Sequence, residues 1–193
     1  MKPAWKILSW LMIAGGCLLI FLGARAFMDS RFGQTEAGRE FQFLHPRKSR
    51  PRLEPGDTFA KLMIPRLGTE LYVVEGDDAG ELSRAPGHLA GSVEPGQKGN
   101  CVIAGHRDTH FRVLKDIRPG DDILIQTVEG EFRYRVSKTQ IVNPTNTAPL
   151  QDGRGAELSL VTCYPFYYVG SAPKRFVVEA KLEGRVAPQS ATF

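Results

Sequence analysis

The stretch Asp122-Ile-Leu-Ile-Gln-Thr-Val-Glu-Gly-Glu-Phe-Arg-Tyr-Arg-Val136 holds two β-type segments around one turn. Phe132, Tyr134 and Val136 alternate with polar residues, which is the period of a strand with one buried face. The dipeptide Glu129-Gly130 stands between the two segments, and a glycine in that place is typical of a tight connection. The stretch therefore predicts a β-hairpin.

The rest of the chain repeats this pattern of short β-type runs that end at glycine or proline. So many short strands with so little helix predict an all-β fold, a closed or nearly closed barrel of seven or eight strands. Two short helices are expected, near Ala79–Arg84 and His110–Asp116. Further strands are predicted at Phe59–Ile64, Leu71–Glu75, Asn100–Ala104, Glu157–Thr162 and Arg175–Leu182.

The N-terminal part of the chain carries an uncharged apolar run from Ile7 to Ala24. As an α-helix this run is roughly 27 Å long, which matches the core of a bilayer. Lys2 and Lys6 favour an N-terminus on the cytoplasmic side. A signal peptide cleaved at Ala24-Arg25-Ala26 is the alternative, but the run is longer than a usual signal core, which favours an uncleaved anchor. Both readings place the rest of the chain outside the cytoplasm.

These patterns divide the 193 residues into four segments. Residues 1–28 are predicted to be an N-terminal membrane anchor. Residues 29–57 mix both charges with glycine and proline, which predicts a polar linker that lies partly against the following domain. Residues 58–184 form the predicted β-barrel domain, and residues 185–193 form a polar C-terminal tail.

The formal net charge of +4 does not indicate a nucleic-acid partner. Lys2, Lys6 and Arg25 flank the apolar run, and the remaining chain carries 22 basic and 21 acidic side chains. A nucleic-acid binder concentrates its positive charge in the folded domain. The soluble part is close to neutral, so nucleic-acid binding is not predicted.

Three cysteines, Cys17, Cys101 and Cys163, are too few for a disulfide scaffold. One bridge between Cys101 and Cys163 remains open in an oxidising compartment. If it were permanent, it would block a nucleophile at Cys163.

Three residues of reactive types stand at the ends of predicted strands. His106 follows one strand across Gly105, Cys163 follows another, and Arg175 opens the last. Side chains at strand ends are held rigidly and yet stay open to a ligand. If the last two strands pair antiparallel, Cys163 and Arg175 meet at one mouth, whereas the sequence does not fix the place of His106. A thiolate, a proton-transferring imidazole and a permanently charged guanidinium suit acyl transfer through a thioester.

These residues also resemble the motifs of a known family, the sortases. Gly105-His106-Arg107 after a Gly-Asn-x-x-Ile-Ala strand is similar to the sortase histidine motif. Leu160-Val161-Thr162-Cys163 is similar to the Thr-Leu-x-Thr-Cys motif, with Ser159 at its first position. Arg175, twelve residues past the cysteine, stands where the family places its arginine. The resemblance covers residues 57–183.

The resemblance implies an eight-stranded sortase-like β-barrel and a cysteine transpeptidase or hydrolase. Such enzymes cleave a C-terminal sorting signal, often of Leu-Pro-x-Thr type. They transfer the acyl group to an amine on a cell-wall precursor or protein, or to water. By matching positions, Cys163 would attack, His106 would shuttle protons, Arg175 would stabilise the oxyanion and Thr162 would bind or support the substrate. A single anchor resembles class D or Gram-negative-type sortases, and the resemblance implies neither a cofactor nor a metal.

Several alternatives stay open at this point. A membrane-tethered peptide-binding module on an inactive fold of the same kind would form no covalent intermediate. His110, four residues after His106, has the helical spacing of a zinc pair, but no fourth ligand suggests itself and a metal site is not predicted. Calcium binding at Asp121-Asp122 is left undecided.

A histidine and a group of aromatic residues are also expected near the mouth of the barrel. His88 is predicted to be a loop residue that shapes the mouth. The aromatic residues after Cys163 either wall a peptide groove or form a local core. They are Tyr164, Phe166, Tyr167 and Tyr168.

Overall fold

The computed structural model describes residues 3–44, 53–153 and 155–186. Its strands account for about half of the second and third ranges, as the short β-type runs predict. The strands are β1 Thr58–Ile64, β2 Thr69–Glu75, β3 Gly87–His88, β4 Gly99–Gly105, β5 Asp122–Thr127, β6 Gly130–Val142, β7 Ala156–Tyr164 and β8 Lys174–Val186.

The helices are few, and the two short ones that the sequence predicts are both present. Residues Ala79–Arg84 are α-helical, while His110–Asp116 form a 3₁₀ helix. The helices are α1 Pro3–Leu44, α2 Ala79–Arg84 and three 3₁₀ helices at Pro65–Leu67, His110–Asp116 and Ala148–Leu150.

The eight strands close into a barrel in the order β1-β2-β3-β4-β7-β8-β6-β5, because β5 pairs back onto β1. Two neighbouring pairs are parallel, β2 with β3 and β4 with β7, and the others are antiparallel. The hairpin of β5 and β6 forms as predicted, with Asp122 opposite Arg135 and Thr127 opposite Gly130. The closed barrel confirms the predicted fold class.

Alternate side chains of the strands fill the barrel. On β6, Phe132, Tyr134 and Val136 are buried while the arginines between them are exposed, as the period of two predicts. Tyr134 is fully buried, and its hydroxyl accepts the Gly96 N–H at 2.7 Å. Burial raises the pKa of Tyr134 to about 12. Its ring fills the barrel without leaving the hydroxyl unpaired.

The first part of α1 is the candidate membrane span. Residues Leu8–Arg25 form 18 residues of helix, none buried against the barrel, that are long and apolar enough to cross a membrane. At about 1.5 Å per residue this stretch is roughly 27 Å long. Together with the barrel it gives the expected arrangement of an apolar helix ahead of a β domain.

The second part of α1 lies against β1 and β2. The Gln34 amide pairs with the backbone of Tyr72, donating to its carbonyl at 2.9 Å and accepting its N–H at 2.7 Å. Ala37 is buried, and its carbonyl accepts the Thr58 hydroxyl at 3.3 Å. A Cβ on Gly38 would lie 2.8 Å from the Tyr72 ring. Small residues therefore let the helix approach the barrel closely.

This contact differs from the polar linker expected over residues 29–57. Residues 29–44 continue α1 instead and bury Gly33, Ala37, Gly38 and Phe41, whose ring centroid lies 5.8 Å from that of Tyr72. Phe41 is the one large apolar side chain among these four, so the pattern of residues is too weak to predict the helix. Residues 45–52 lie outside the described residues. At the other end, Arg185 and Val186 belong to β8 rather than to the expected tail, and residues 187–193 are not described.

The two-residue strand β3 is too short to predict from sequence, and it changes the picture of His88. A Cβ on Gly87 would lie 2.0 Å from the Gly76 carbonyl oxygen, so the chains pass there in close contact. His88 is buried, with Nδ1 2.8 Å from Glu75 Oε2 and Nε2 2.9 Å from Ser92 Oγ. The prediction that His88 is a loop residue at the mouth is therefore wrong, because its ring lies buried in the barrel and hydrogen-bonds Glu75 and Ser92.

Candidate active site

Three strand ends meet at one edge of the barrel. Strand β4 runs parallel to β7 with Gly105 opposite Thr162. His106 directly follows Gly105 and Cys163 directly follows Thr162, so the two residues lie side by side. Strand β7 runs antiparallel to β8 with Cys163 directly opposite Arg175. Neighbouring strands lie about 5 Å apart, so the backbones of the three residues form one row. The structure thus brings the three predicted residues together.

Cys163 and Arg175 also share a face of the sheet, since directly opposed residues of an antiparallel pair point the same way. Their neighbours Leu160, Thr162 and Val178 point into the barrel and are buried. The thiol and the guanidinium therefore stand on the outer face, and both are partly exposed.

Thr162 lies under this row rather than in it. Its side chain is 2% exposed, and its hydroxyl donates to the Gly105 carbonyl at 2.7 Å. This bond joins the last residue of β4 to β7, one residue before both His106 and Cys163. The geometry suits a residue that supports the site from below.

Side-chain contacts in the row are loose. The Arg175 Nη1 donates to the Lys174 and Ala172 carbonyls, at 3.1 and 3.4 Å, and so points back to its own loop. The His106 imidazole is exposed and has no hydrogen-bond partner within the described part of the chain. Catalytic hydrogen bonds often tighten only when substrate binds. The backbone supplies the placement, and side-chain rotation is needed to bring the three groups into contact.

The disulfide left open by the sequence does not form. Cys101 and Cys163 are both free, and Cys101 is fully buried in the barrel core, where burial raises the pKa of its thiol. Its register partner Leu158 stands five residues before Cys163 on β7. That separation is about 16 Å along a strand, far beyond the reach of a disulfide.

The backbone around His106 is held by the helix that follows it. The Phe111 N–H donates to the His106 carbonyl at 2.9 Å, and Phe111 itself is fully buried. A Cβ on Gly105 would lie 2.8 Å from the Phe111 ring. The glycine ahead of His106 is therefore required by the packing of this ring, a reason that the sequence motif alone does not give.

The aromatic residues that follow Cys163, at the end of β7 and in the loop between β7 and β8, divide into two sets. Tyr164 and Phe166 pack on the Phe176 ring, with centroids 6.4 and 5.3 Å away. Tyr167 and Tyr168 are instead exposed. The base of the loop is a local core, and its tip stands at the surface beside the mouth.

The tip of the β7–β8 loop contacts two arginines that were not predicted as functional residues from the sequence. Arg107 donates to two loop carbonyls, those of Tyr168 and Gly170. Arg112 lies over the Tyr167 ring, 5.1 Å from its centroid. The only sequence signal was that Arg107 stands next to His106 in the motif.

The aspartates considered for calcium have a different partner. Asp121 accepts from Arg66 Nη2 at 2.7 Å and from the Arg118 N–H at 2.8 Å. The hydrogen bond from Arg66 holds the pKa of Asp121 below its usual value. Asp122 in turn lies 3.2 Å from the Nε of Arg135. Both carboxylates thus serve ion pairs of the barrel.

The structure is a closed eight-stranded β-barrel in which the partly exposed thiol of Cys163 stands in a row of strand ends with His106 and Arg175. The family model described as "Sortase domain" matches residues 62–183, more than half of the chain. The chain belongs to the sortase family.

Relatives of known name agree with this assignment and favour a class D-like member. Sortase D of Bacillus subtilis (strain 168) is 42% identical over 130 residues, which cover 66% of this chain and 65% of the relative. Sortase SrtE1 of Streptomyces coelicolor is 28% identical over 168 residues. The chain spans 47 to 65% of the length of the curated relatives it matches.

Solved structures show the same fold. The Clostridium perfringens Sortase D5 transpeptidase superposes with a TM-score of 0.68 at 25% identity, over 81% of this chain and 99% of that one. Sortase E1 from Streptomyces coelicolor, solved with a tripeptide in the active site, gives a TM-score of 0.60 at 29% identity. That match covers 66% of this chain and 89% of the other.

Proposed function

We propose that this protein is a cysteine transpeptidase that cleaves a C-terminal sorting signal and passes the acyl group to an amine or to water. The observation that carries the proposal is the register of three neighbouring strands, which sets His106, Cys163 and Arg175 side by side. Membership of the sortase family supports the same reaction.

The proposed reaction has two steps that share one site. The Cys163 sulfur attacks the carbonyl carbon of the scissile peptide bond, and the oxyanion that forms accepts hydrogen bonds from Arg175. The carbon–nitrogen bond then breaks, and the leaving amine takes a proton from His106. The product of this step is a thioester on Cys163.

The second step returns the enzyme to its starting state. An acceptor amine, or water, gives a proton to His106 and attacks the thioester carbonyl. The carbon–sulfur bond breaks and the thiolate of Cys163 is restored. Thr162 acts as a supporting residue, because its buried hydroxyl joins the two strands that carry the cysteine and the histidine.

The proposed location is the outer side of the cytoplasmic membrane. The candidate span Leu8–Arg25 is fully exposed, and the barrel follows it in the chain. Lys2 and Lys6 favour a cytoplasmic N-terminus, which puts the barrel on the other side. The proposed partners are proteins that carry a sorting signal and an amine on a cell-wall precursor or protein.

The test uses the full chain in detergent, with Cys17→Ser as the background so that the span carries no thiol. A thiol-reactive probe should label Cys163 only, since Cys101 is fully buried. A pool of sorting-signal-like peptides is then added, and the intact mass is recorded. An adduct on the Cys163 form but not on Cys163→Ala, released by water or by added amine, supports the proposal.

The same measurement separates the alternative of an inactive binding module. Such a module retains peptide in an equilibrium binding assay but forms no adduct. Full turnover in the Cys163→Ala variant contradicts the proposed mechanism outright. Whether added amine diverts the product distinguishes a transpeptidase from a hydrolase.

A further inference from the structure

The loop between β7 and β8, residues 165–173, joins the two members of the row that oppose each other. It leaves β7 two residues after Cys163 and enters β8 just before Arg175. Any shift of this loop therefore moves the wall of the mouth beside the thiol. The contacts that hold the loop in place therefore affect the candidate site directly.

Burial does not hold the tip of this loop. Tyr167 is 67% exposed, Tyr168 49% and Val169 99%. A segment with so few buried apolar contacts opens at low free energy unless polar contacts fix it. The base, by contrast, is packed through Phe166 on Phe176.

Arg107 supplies the missing polar contacts. Its Nη2 donates to the Tyr168 carbonyl at 2.9 Å and to the Gly170 carbonyl at 3.0 Å. Its guanidinium carbon also lies 5.7 Å from the centroid of the Tyr168 ring. A guanidinium can make this pair of bonds and the ring contact together, because it is planar and carries several donors in fixed directions.

A second contact holds the same tip from the helix His110–Asp116. The Tyr167 ring lies 5.1 Å from the Arg112 guanidinium carbon and 5.8 Å from the Lys115 ammonium. Lys115 also donates to the Tyr167 hydroxyl at 3.3 Å. Hydrogen bonds from Arg112 and Lys115 lower the pKa of this exposed tyrosine. These contacts tie the helix that follows His106 to the loop that follows Cys163.

We propose that Arg107 is a positioning residue for the peptide substrate, holding the β7–β8 loop as a fixed wall of the mouth. This inference rests on the proposed function, since it concerns how that site binds its substrate. Arg107 stands next to His106 and hydrogen-bonds the loop between Cys163 and Arg175, so one side chain links the end of β4 to the loop that joins β7 and β8. It does not itself touch the reacting atoms.

The inference predicts a change in substrate binding rather than in chemistry. In Arg107→Gln the loop loses both carbonyl bonds, and the Michaelis constant for a sorting peptide should rise roughly tenfold. The kcat should stay within about threefold, because the row of His106, Cys163 and Arg175 is set by strand register. Alkylation of Cys163 by a small probe should keep its rate.

The experiment compares Arg107→Gln with the matched control Arg133→Gln, which removes an exposed arginine from β6. Hydrogen exchange of the amides of residues 166–172 should quicken in Arg107→Gln and stay unchanged in the control. Arg107→Lys should give an intermediate Michaelis constant, because an ammonium keeps the charge and loses the fork of donors.

Gly170→Ala disturbs the acceptor of the hydrogen bond from Arg107 to the Gly170 carbonyl. It provides a second test of the inference if Arg107→Gln fails to fold. Gly170 has φ +96° and nothing within 4 Å of an added Cβ, so alanine strains the backbone there without a clash. Its carbonyl should leave Arg107, and the Michaelis constant should rise, but less than in Arg107→Gln because the bond to the Tyr168 carbonyl remains. The double variant should be no worse than Arg107→Gln alone, since that variant has already lost the bond that Gly170→Ala disturbs.

Two results would overturn the inference. The first is a wild-type Michaelis constant in a folded Arg107→Gln, and the second is a loss confined to kcat. A protein that forms no acyl-enzyme with any peptide tested refutes the proposed function instead. In that case hydrogen exchange and Gly170→Ala still decide whether Arg107 holds the loop.

Discussion

Cys163 lies directly opposite Arg175 in the antiparallel ladder between β7 and β8. Opposed residues of such a pair have Cβ atoms about 5 Å apart on the same face, so a guanidinium there can reach an oxyanion formed at the thiol. In the present structure the guanidinium instead hydrogen-bonds the Lys174 and Ala172 carbonyls. The proposed mechanism therefore requires the guanidinium to exchange these carbonyl bonds for a bond to the oxyanion.

Removal of this guanidinium should slow catalysis strongly. In Arg175→Gln we expect kcat for a sorting peptide to fall on the order of 10²–10³-fold, the usual loss when one oxyanion donor is removed. Arg175→Lys should recover only part of it, because lysine lacks the planar fork. Steady-state kinetics beside the Arg133→Gln control provide the measurement, and an Arg175→Gln variant with full kcat would contradict the assigned role.

Replacement of the Thr162 hydroxyl should cost both stability and activity. Thr162→Val leaves the buried Gly105 carbonyl without its hydroxyl donor, which should lower the free energy of unfolding by about 1–3 kcal/mol. Thr162→Ser keeps the hydroxyl and should lose less. Urea denaturation of both variants compares the two cases, and a Thr162→Val variant as stable as the unaltered protein would show that the hydrogen bond contributes nothing.

A side chain at Gly105 should displace the Phe111 ring. The added Cβ of Gly105→Ala would lie 2.8 Å from Phe111, so overpacking should destabilise the fold by about 1–3 kcal/mol. Gly80→Ala is the matched control, since nothing lies within 4 Å of its Cβ and alanine suits α2. Thermal unfolding that shows no difference between the two variants would be evidence against the close packing.

The ion pair of Arg66 and Asp121 predicts a dependence of stability on pH. Since the hydrogen bond from Arg66 holds the pKa of Asp121 below its ordinary value of 3.8 in the folded state, the contribution is complete above that pH and is lost as the pH falls further. Arg66→Met should therefore lower the free energy of unfolding at pH 7 by a small amount, since an exposed arginine pairs weakly with its partner. The difference from the unaltered protein should shrink below pH 3.8, and a constant difference from pH 7 to pH 2 would rule out this linkage.

The docked part of α1 should depend on its small residues. Gly38→Leu places a bulky side chain where a Cβ already lies 2.8 Å from the Tyr72 ring, so α1 should separate from β2. Hydrogen exchange across residues 33–41 should then quicken. Gly16→Leu, in the candidate span with nothing within 4 Å, is the control and should leave exchange in this segment unchanged.

Much of the strand content could be predicted, because apolar and polar residues alternate along a strand that has one buried face. The hairpin of β5 and β6 is an example, since Phe132, Tyr134 and Val136 point inward in the structure as the alternation requires. The two-residue β3 and the helical extension 29–44 could not be predicted. The first is too short to show a period, and the second contacts the barrel mainly through glycine, alanine and glutamine, with Phe41 as its one large buried apolar side chain.

The sequence by itself determined the all-β class, the apolar N-terminal helix and the order in which His106, Cys163 and Arg175 arrive at strand ends. Only the tertiary structure decided that these ends are neighbours, and that Arg107 grips the loop between two of them. The parallel pairing of β4 with β7 joins residues 57 positions apart along the chain, as between Gly105 and Thr162. Pairing at such a distance depends on closing the whole barrel, and no local pattern of residues encodes it.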